Sequence, residues 1–191
     1  MMQTKAKTLI VYGSRYGATA GTAEEIAKTL REDGFDVRVA NLKEEKIKNI
    51  SEYELIVVGS GMALGNWVNE AEDFVKNFQK NFDNKKLAIF ISSLKPVEEK
   101  AGKTAAVTRT RKIGLDEKIL KYHLKPIMVG FFGGVLDYNK MSFLTRKAME
   151  VGYKSQLQKY GFNEGEPGIY DLHNWDEIRS WTRELAQKVK E

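Results

Sequence analysis

A short run of hydroxyl-bearing and glycine residues, Ser14-Arg15-Tyr16-Gly17-Ala18-Thr19, joins an apolar segment to a helical pattern near the start of the chain. A helix N-terminus offers unpaired N–H groups and the positive end of its dipole, so it favours a bound anion. Ser14, Tyr16 and Thr19 add hydroxyl donors, and Gly17 lets the backbone approach a ligand closely. These residue types at this spacing predict a site for a compact terminal phosphate.

Other phosphate-binding patterns do not match this loop. The chain has no G-x-x-x-x-G-K-[ST] motif, which argues against a nucleoside triphosphate site of the P-loop type. A dinucleotide site requires three loop glycines and an acidic residue after the second strand, but that strand ends Val39-Ala40-Asn41. A phosphoacceptor site would need acidic residues after the first strand, which ends in Tyr12-Gly13. A phosphate monoester is the predicted ligand, and a Ser- or Thr-capped helix without a ligand is the alternative.

The composition excludes several kinds of chemistry. The 191 residues include no cysteine, which excludes disulfides, thiolate catalysis and cysteine-ligated metal clusters. The two histidines, His123 and His173, lack a carboxylate-rich neighbourhood in sequence, so we expect solvated or capping roles and no metal site. No apolar run reaches the roughly 18 residues that a membrane-spanning helix needs, and the N-terminus lacks a signal-peptide pattern. We therefore expect a cytoplasmic protein.

The net charge of +5 comes mainly from one segment of the chain. Nine Lys and Arg residues lie between Lys95 and Lys125, opposed by four acidic residues. Such a one-sided basic face favours an anionic partner, for example a carboxylated small molecule, an acidic protein or acidic lipid headgroups. No nucleic-acid recognition motif accompanies the charge, so we expect no nucleic-acid partner.

Five apolar or alternating segments predict strands, and helical patterns alternate with them. The predicted strands cover residues 7–13, 35–40, 55–59, 87–91 and 127–132. Helical spacing covers residues 21–33, 69–82 and 175–190, and Asn174 or Asp176 is suited to cap the last helix. This alternation predicts one α/β domain over residues 1–191, with a doubly wound five-stranded parallel sheet and helices on both faces.

The connection that follows the fifth predicted strand is longer than an ordinary loop. We assign residues 134–168 to an insertion within the domain. Residues 141–154 show helical spacing, and residues 161–168 are rich in turn-forming types.

The phosphate loop and the order of elements together resemble the flavodoxin family. The loop matches that family's [ST]-x-[TSY]-G-x-T motif, at the junction of the first strand and first helix. The resemblance implies a sheet of order 2-1-3-4-5 and a non-covalently bound FMN. It also implies that the FMN phosphate is held by the Ser14, Tyr16 and Thr19 hydroxyls and by the N–H groups of Arg15, Tyr16, Gly17, Ala18 and Thr19.

Two further loops correspond to those that contact the flavin ring in this family. The third strand leads into a glycine-rich segment, and the fourth strand leads into a serine-containing one. The residues that the resemblance places near the flavin are Gly61, Met62, Ala63, Leu64, Gly65, Asn66, Trp67, Ser92, Ser93 and Leu94. For Trp67, stacking on the flavin and packing in the core of the following helix are equal alternatives.

A second resemblance covers nearly the whole chain. The chain resembles the flavodoxin-fold subfamily that includes menaquinone-dependent protoporphyrinogen oxidase. This resemblance rests on four features: the basic segment, the insertion, and two motifs, Gly-Phe-Phe-Gly-Gly-Val-Leu-Asp-Tyr at residues 130–138 and Asp-Leu-His-Asn-Trp at residues 171–175. It implies oxidation of a porphyrinogen through FMN, with a quinone as acceptor. The residues assigned to substrate or partner contact are Lys95, Arg109, Arg111, Lys112 and Tyr138.

Two functions remain open at the level of the sequence. The chain is either an FMN-dependent oxidoreductase with a quinone or another flavoprotein as acceptor, or an electron carrier that docks with redox partner proteins and transforms no substrate. The basic charge and the insertion favour the enzyme, whereas no catalytic acid or base is identifiable. A basic, amphipathic insertion also predicts a peripheral contact with the inner face of the membrane, where quinone resides.

Overall fold

The computed structural model describes residues 6–15, 17–63 and 65–191. Strands and helices alternate along most of the chain. The strands are β1 (Lys7–Gly13), β2 (Asp36–Asn41), β3 (Leu55–Ala63), β4 (Asn66–Trp67), β5 (Lys86–Ser93), β6 (Met128–Gly133), β7 (Val135–Asp137) and β8 (Ile169–Asp171). The α-helices are α1 (Ala18–Glu32), α2 (Asn69–Phe78), α3 (Lys95–Lys100), α4 (Thr104–Arg111), α5 (Glu117–Lys121), α6 (Phe143–Met149), α7 (Ser155–Lys159) and α8 (Trp175–Lys190). Two π-helical turns, Lys112–Asp116 and Glu150–Lys154, join α4 to α5 and α6 to α7.

Five parallel strands form the central sheet in the order β2-β1-β3-β5-β6. Counted as parallel strands alone, this is the order 2-1-3-4-5, so the predicted doubly wound fold is confirmed. The strand order reverses between β1 and β3, where Thr8 pairs with Leu55. In sheets of this kind, ligands bind outside the carboxyl ends of the strands at the point of reversal.

The central strands are buried on both faces, as their continuous apolar sequences predict. Because side chains alternate across a strand, Leu9 and Val11 join one core while Ile10 joins the other. The core that contains Ile10 lies under α1 and α8, and the opposite core lies under α2 and the Lys112–Asp116 turn. Helices therefore cover both faces of the sheet, as the sequence predicts.

The last helix shows how sequence sets these positions. The Asn174 side chain accepts a hydrogen bond from the Glu177 N–H at 3.1 Å, so Asn174 rather than Asp176 caps α8. Ile178, Trp181 and Leu185 follow at helical spacing and are buried against the sheet. The Trp181 Nε1–H donates to the Val129 carbonyl at 2.9 Å, which ties α8 to β6.

Residues between β6 and α8 form a small layer beside the sheet. Strands β7 and β8 pair antiparallel, with Leu136 opposite Tyr170, and the helical segment α6 to α7 lies between them in sequence. Predicted helical spacing over residues 141–154 is found in the structure as α6 and the following π-helical turn, and α7 then extends the helical segment. A third core holds this layer to α3 and includes Val97, Leu157 and Tyr170.

Several predicted boundaries differ from the structure, and two of these differences lie next to the site loops. Helix α1 begins at Ala18, three residues earlier than residue 21, because Gly17 and Ser14 form its start directly after the loop. The third strand continues to residue 63 rather than ending at residue 59, and it turns back as a hairpin in which Met62 pairs with Trp67. The glycine-rich stretch is therefore mostly β-structure, because its N–H and C=O groups pair with β5 and β4.

No helix among residues 6–15, 17–63 and 65–191 has the length and apolar character needed to cross a membrane.

Candidate functional site

A cavity of about 300 Å³ opens at the carboxyl ends of the central strands, next to the strand reversal. It lies between the loop after β1, the β3–β4 hairpin, the end of β5 and the layer formed by residues 134–153. The predicted site residues that line it are Ser14, Arg15, Ala18, Gly61, Met62, Gly65, Ser92, Ser93 and Leu94. The structure thus brings three chain segments, predicted separately from sequence, to one cavity.

The phosphate loop has the geometry of an open helix start. The Ser14 Oγ accepts a hydrogen bond from the Thr19 N–H at 3.3 Å, which shapes the loop. Gly17 precedes the first helical residue with φ of 85°, a left-handed conformation that glycine adopts without strain. Because Gly17 has no side chain to cap α1, the first turn stays accessible to an acceptor from outside. Tyr16, predicted to donate a hydroxyl here, lies outside the described residues.

Thr19 is fully buried, and its hydroxyl has no hydrogen-bond partner among the residues that the structure describes. Gly61 lies directly beside it, since a Cβ atom on Gly61 would come within 3.0 Å of the Thr19 Oγ1. A buried hydroxyl without a partner carries a desolvation cost that an incoming acceptor would remove. An anion at the first turn of α1 would supply that acceptor.

A lysine from the insertion approaches the same loop. The Lys140 Nζ lies 3.5 Å from the position that a Cβ atom on Gly17 would take. The same ammonium forms an ion pair with the buried Asp137 at 3.3 Å, which orients it. Sequence reasoning missed Lys140, because more than 120 residues separate it from the loop and no local pattern marks it. Its charge adds to the positive potential at the start of α1.

Gly134 packs between the start of α1 and the end of β5 at the bottom of the cavity. A Cβ atom there would lie 3.1 Å from the Ala18 Cβ and 3.2 Å from the Ser92 Cβ, so a larger residue would have to push these neighbours apart by a few tenths of an ångström. The Gly134 N–H donates to the Ser93 carbonyl at 3.2 Å, and its carbonyl accepts from the Leu172 N–H at 2.9 Å.

Trp67 occupies the core. Its side chain is buried beneath the β3–β4 hairpin, and its Nε1–H donates to the Gly114 carbonyl at 2.6 Å. Of the two alternatives left open for this residue, the structure therefore shows core packing, and the indole is not positioned to stack on a ligand. Asn66 is exposed on the outer side of the hairpin, Leu64 lies outside the described residues, and Ala63 ends β3.

The last residues of β5 and the start of α3 face two different surfaces. Ser92 is buried at the cavity, and its hydroxyl has no partner among the described residues. The Ser93 Oγ accepts from the Lys95 N–H at 3.0 Å and begins α3. The Lys95 ammonium points to the other side, where it donates to the Phe131 carbonyl at 2.9 Å and to Glu177 at 3.0 Å. Lys95 therefore links α3 to β6 and α8, and it does not line the cavity.

The other residues assigned to substrate contact lie at different places. Arg109, Arg111 and Lys112 are exposed on α4 and the turn after it, next to Thr110, which lines the cavity. Tyr138 is buried in the third core, edge-on to Tyr170 with ring centroids 6.0 Å apart. Its position makes it a structural residue of the insertion, because Tyr170 and its neighbours occupy the space around its ring.

Glu98 and Tyr153 form a polar pair in the cavity wall that sequence reasoning did not find. The Tyr153 hydroxyl donates to the Glu98 Oε1 at 3.1 Å, which joins α3 to the insertion. Burial, and then the nearby Glu98 carboxyl, raise the pKa of Tyr153 to about 12, so the phenol stays protonated at neutral pH. The pair joins residues 55 positions apart, and only the folded chain reveals it.

His173 also lies closer to the site than expected. Its imidazole is buried between the Asp171 carboxylate, 2.5 Å from Nδ1, and the Ala18 carbonyl, 3.3 Å from Nε2. The ring stacks on Trp175 with centroids 4.2 Å apart, and both rings lie over Gly21. The solvated or capping role expected for His173 is therefore wrong, because the missing side chain at Gly21 lets the imidazole pack against the first turn of α1.

Comparison with known proteins agrees with this geometry. Residues 9–160 match the family model described as a flavodoxin domain. Protoporphyrinogen IX dehydrogenase [quinone] from Escherichia coli (strain K12) is 22% identical over 184 residues, which cover 94% of each chain.

Solved structures show the same fold. A flavodoxin from Streptococcus pneumoniae TIGR4 superimposes with a TM-score of 0.56 at 15% identity, over 97% of this chain and 98% of that one. Rubredoxin oxygen:oxidoreductase from Desulfovibrio gigas gives a TM-score of 0.55 at 14% identity, over 97% of this chain. This chain spans only 37% of the D. gigas protein.

The cavity fits the cofactor of that family. The Thr19 hydroxyl, which has no partner among the described residues, and the first turn of α1 suit a terminal phosphate. Gly61 and Gly65 line the cavity beside the strands, and the side-chain position of Gly65 is open space that a flat ring system could use. FMN is the monophosphate that combines those two parts. The chain belongs to the flavodoxin domain family, and it is a flavoprotein whose cofactor is FMN.

Proposed function

We propose that this flavoprotein oxidises a porphyrinogen and passes the electrons to a quinone. The observation that carries the proposal is the extent of the cavity beyond the cofactor loops. Leu136, Met141, Thr145, Met149 and Tyr153 of the insertion form an additional wall there. An electron carrier that only docks with partners needs an exposed ring edge, whereas a substrate needs an enclosing surface of this kind.

The lining suits a large apolar ring. Leu136, Met141 and Met149 present aliphatic and thioether surface, and methionine adapts its shape to irregular ligands. The match to the E. coli protein over 94% of each chain includes the whole insertion, which supports a substrate of the kind that protein's name states. Bound FMN supplies the two-electron acceptor, and the residues of this chain position the substrate and exclude water.

The basic residues on α4 supply a second contact for this substrate. Arg109, Arg111 and Lys112 are exposed, and their charged groups form no ion pair with any residue that the structure describes. Thr110, which lies between Arg109 and Arg111 in sequence, lines the cavity, whereas Arg111 lines a neighbouring pocket together with Lys95. Protoporphyrinogen carries two propionates, which guanidinium groups bind well through paired hydrogen bonds. We assign these three residues to recognition of the propionates at the mouth of the cavity.

The outer side of the insertion is suited to a membrane surface, where a quinone would be met. Phe143, Leu144 and Val151 are 68%, 79% and 87% exposed. Arg146, Lys147 and Lys154 lie beside them. Exposed apolar side chains combined with a basic rim bind the headgroup region of anionic lipid bilayers.

Sedimentation with phosphatidylglycerol vesicles tests the membrane contact. We expect the protein to sediment with anionic vesicles at low salt, and the Phe143→Ser, Leu144→Ser double variant to remain in the supernatant. Leu120→Ser on α5 is the matched control, because Leu120 is 74% exposed but lies outside the insertion. Equal sedimentation of the double variant and the control would refute this contact.

An anaerobic assay tests the reaction. The FMN-loaded protein is mixed with protoporphyrinogen and a menaquinone analogue, and porphyrin fluorescence is followed. We expect fluorescence to grow only when both protein and quinone are present. If the bound flavin is reducible but no porphyrin forms, the alternative of an electron carrier between redox partner proteins is supported instead.

A charge-matched pair of variants then tests the propionate contact. Arg109→Ala with Arg111→Ala should lower turnover and leave FMN affinity unchanged. Lys43→Ala with Lys46→Ala removes the same charge from an exposed loop after β2 and should leave turnover unchanged. Equal turnover in both double variants would assign Arg109 and Arg111 to a solvated face.

A further inference from the structure

Glu98 is a buried carboxylate with too few partners inside the protein. It is only 7% exposed, and it lines the cavity from α3. Its Oε1 accepts one hydrogen bond, from Tyr153, whereas its Oε2 has no partner among the described residues and is not fully enclosed by protein. Asp137, the other buried carboxylate in the described chain, differs, because it forms an ion pair with Lys140 and accepts the Asn139 N–H.

A carboxylate in such a position requires donors from elsewhere. Burying a charged group costs free energy unless a cation or several hydrogen bonds compensate for the lost water. The Lys103 ammonium lies 4.9 Å from the centre of the Tyr153 ring, where it contacts the ring face rather than Glu98. Leu94, Met141 and Met149 line the same cavity with apolar side chains, and Arg15, Thr110 and Thr145 line it with polar ones. The Glu98 Oε2 can therefore accept a hydrogen bond from water or from a molecule that enters the cavity.

We propose that Glu98 binds the N–H groups of an apolar heterocyclic substrate, with Tyr153 as the positioning residue that fixes its orientation. This inference rests on the proposed function and specifies how the same cavity recognises its substrate. Pyrrole rings combine apolar faces with N–H donors and carry no acceptor in the ring, so they complement a carboxylate in an apolar wall. A quinone offers only carbonyl acceptors, so it does not supply the donors that Glu98 lacks.

The probe for this test is 5,5-dimethyldipyrromethane, which has two pyrrole N–H groups and no removable hydrogen on its bridge carbon. Its N,N′-dimethyl derivative has nearly the same shape but no N–H donor. Binding of both is measured by calorimetry with FMN-loaded protein, so that turnover does not enter the readout. Menadione, a small quinone, is the third probe.

We expect the wild-type protein to bind the N–H probe about tenfold or more tightly than the N-methylated one, because a hydrogen bond to a charged group is lost. Glu98→Gln should abolish most of that preference while leaving FMN affinity unchanged. Glu99→Gln is the matched control, since Glu99 is the adjacent carboxylate of α3 and does not line the cavity. Tyr153→Phe keeps the carboxylate but removes the hydrogen bond that orients it, so this variant should weaken the preference, though less than Glu98→Gln does.

Three results would overturn the inference. One is equal binding of the two pyrrole probes. Another is tighter binding of menadione that depends on Glu98. The third is a loss of thermal stability in both Glu98→Gln and Tyr153→Phe while both variants still prefer the N–H probe. In that case the hydrogen bond between Glu98 and Tyr153 would serve only to hold α3 against the insertion.

These outcomes are separate from the fate of the proposed function. If porphyrin forms in the anaerobic assay but Glu98→Gln keeps the N–H preference, only the role of Glu98 is refuted. If no porphyrin forms but the preference depends on Glu98, the porphyrinogen reaction is refuted and a site for another N–H heterocycle remains.

Discussion

The buried hydroxyl of Thr19 offers the sharpest test of the cofactor site. Thr19→Val replaces the hydroxyl by a methyl group of similar size, at a fully buried position where the hydroxyl has no partner in the described part of the chain. If this hydroxyl donates to the FMN phosphate, the variant loses a hydrogen bond to a charged group, which is worth about 1.5–3 kcal/mol. Since about 1.4 kcal/mol corresponds to tenfold, the Kd for FMN should rise roughly tenfold to a hundredfold.

The measurement is quenching of flavin fluorescence when FMN is titrated with the apoprotein. Riboflavin lacks the phosphate, so its affinity should be the same for wild type and Thr19→Val. Thr22→Val is the control on the same helix, because Thr22 is also fully buried with an unpartnered hydroxyl but does not lie beside Gly61. Both variants should be at least as stable to heat as wild type, because each removes a buried polar group that lacks a partner.

Two results would refute this reasoning. An unchanged Kd for FMN in Thr19→Val would remove the hydroxyl from the phosphate site. An equal loss for riboflavin and FMN would mean that the substitution disturbs the cavity as a whole, so the effect would not report on the phosphate.

Three further predictions concern residues around the site. Lys140→Ala should weaken FMN binding, because it removes a positive charge near the start of α1. The loss of affinity should be smaller at high salt, which screens that charge. Lys154→Ala, which removes an exposed lysine of the insertion, should have no effect in the same titration. Trp67→Phe should destabilise the fold by about 1–3 kcal/mol in urea unfolding, because the buried Gly114 carbonyl loses its donor; an unchanged midpoint would contradict this. Burial alone would raise the pKa of Glu72, but hydrogen bonds from the side chains of Lys118, Lys121 and Tyr122 outweigh it and lower that pKa to about 2. Because the pKa of Glu72 is lower in the folded state, its ionised carboxylate stabilises the fold at pH values above about 4.5, and this stabilisation is lost as the pH falls towards 2. Glu72→Gln should therefore be less stable than wild type at pH 7 and about equally stable near pH 2. A stability difference that stays constant with pH would refute the ionic origin.

The sequence alone was enough to predict the sheet and the position of the phosphate loop. Apolar runs such as Leu55-Ile56-Val57-Val58 mark strands buried on both faces, and their alternation with helical patterns leaves few topologies. The phosphate loop could be recognised because its residues are adjacent in the chain and act largely through backbone N–H groups. Features of this kind depend on local spacing, which a sequence displays directly.

Other features were decided by contacts between distant parts of the chain. Trp67 packs in the core because the Lys112–Asp116 turn brings the Gly114 carbonyl to its indole, and no spacing near Trp67 indicates this. The glycine-rich stretch after β3 continues as a strand because β5 and β4 supply its hydrogen-bond partners.

The substrate side of the cavity was the least predictable part. Lys140 reaches Gly17 and Tyr153 reaches Glu98 only because the β7–β8 ribbon holds the insertion against the ends of the central strands. Lys95, in contrast, turns away from the cavity because Glu177 and the Phe131 carbonyl bind its ammonium on the other side of α3. Residue types identify what a side chain can bind, but its actual partners depend on which surfaces the tertiary fold brings together.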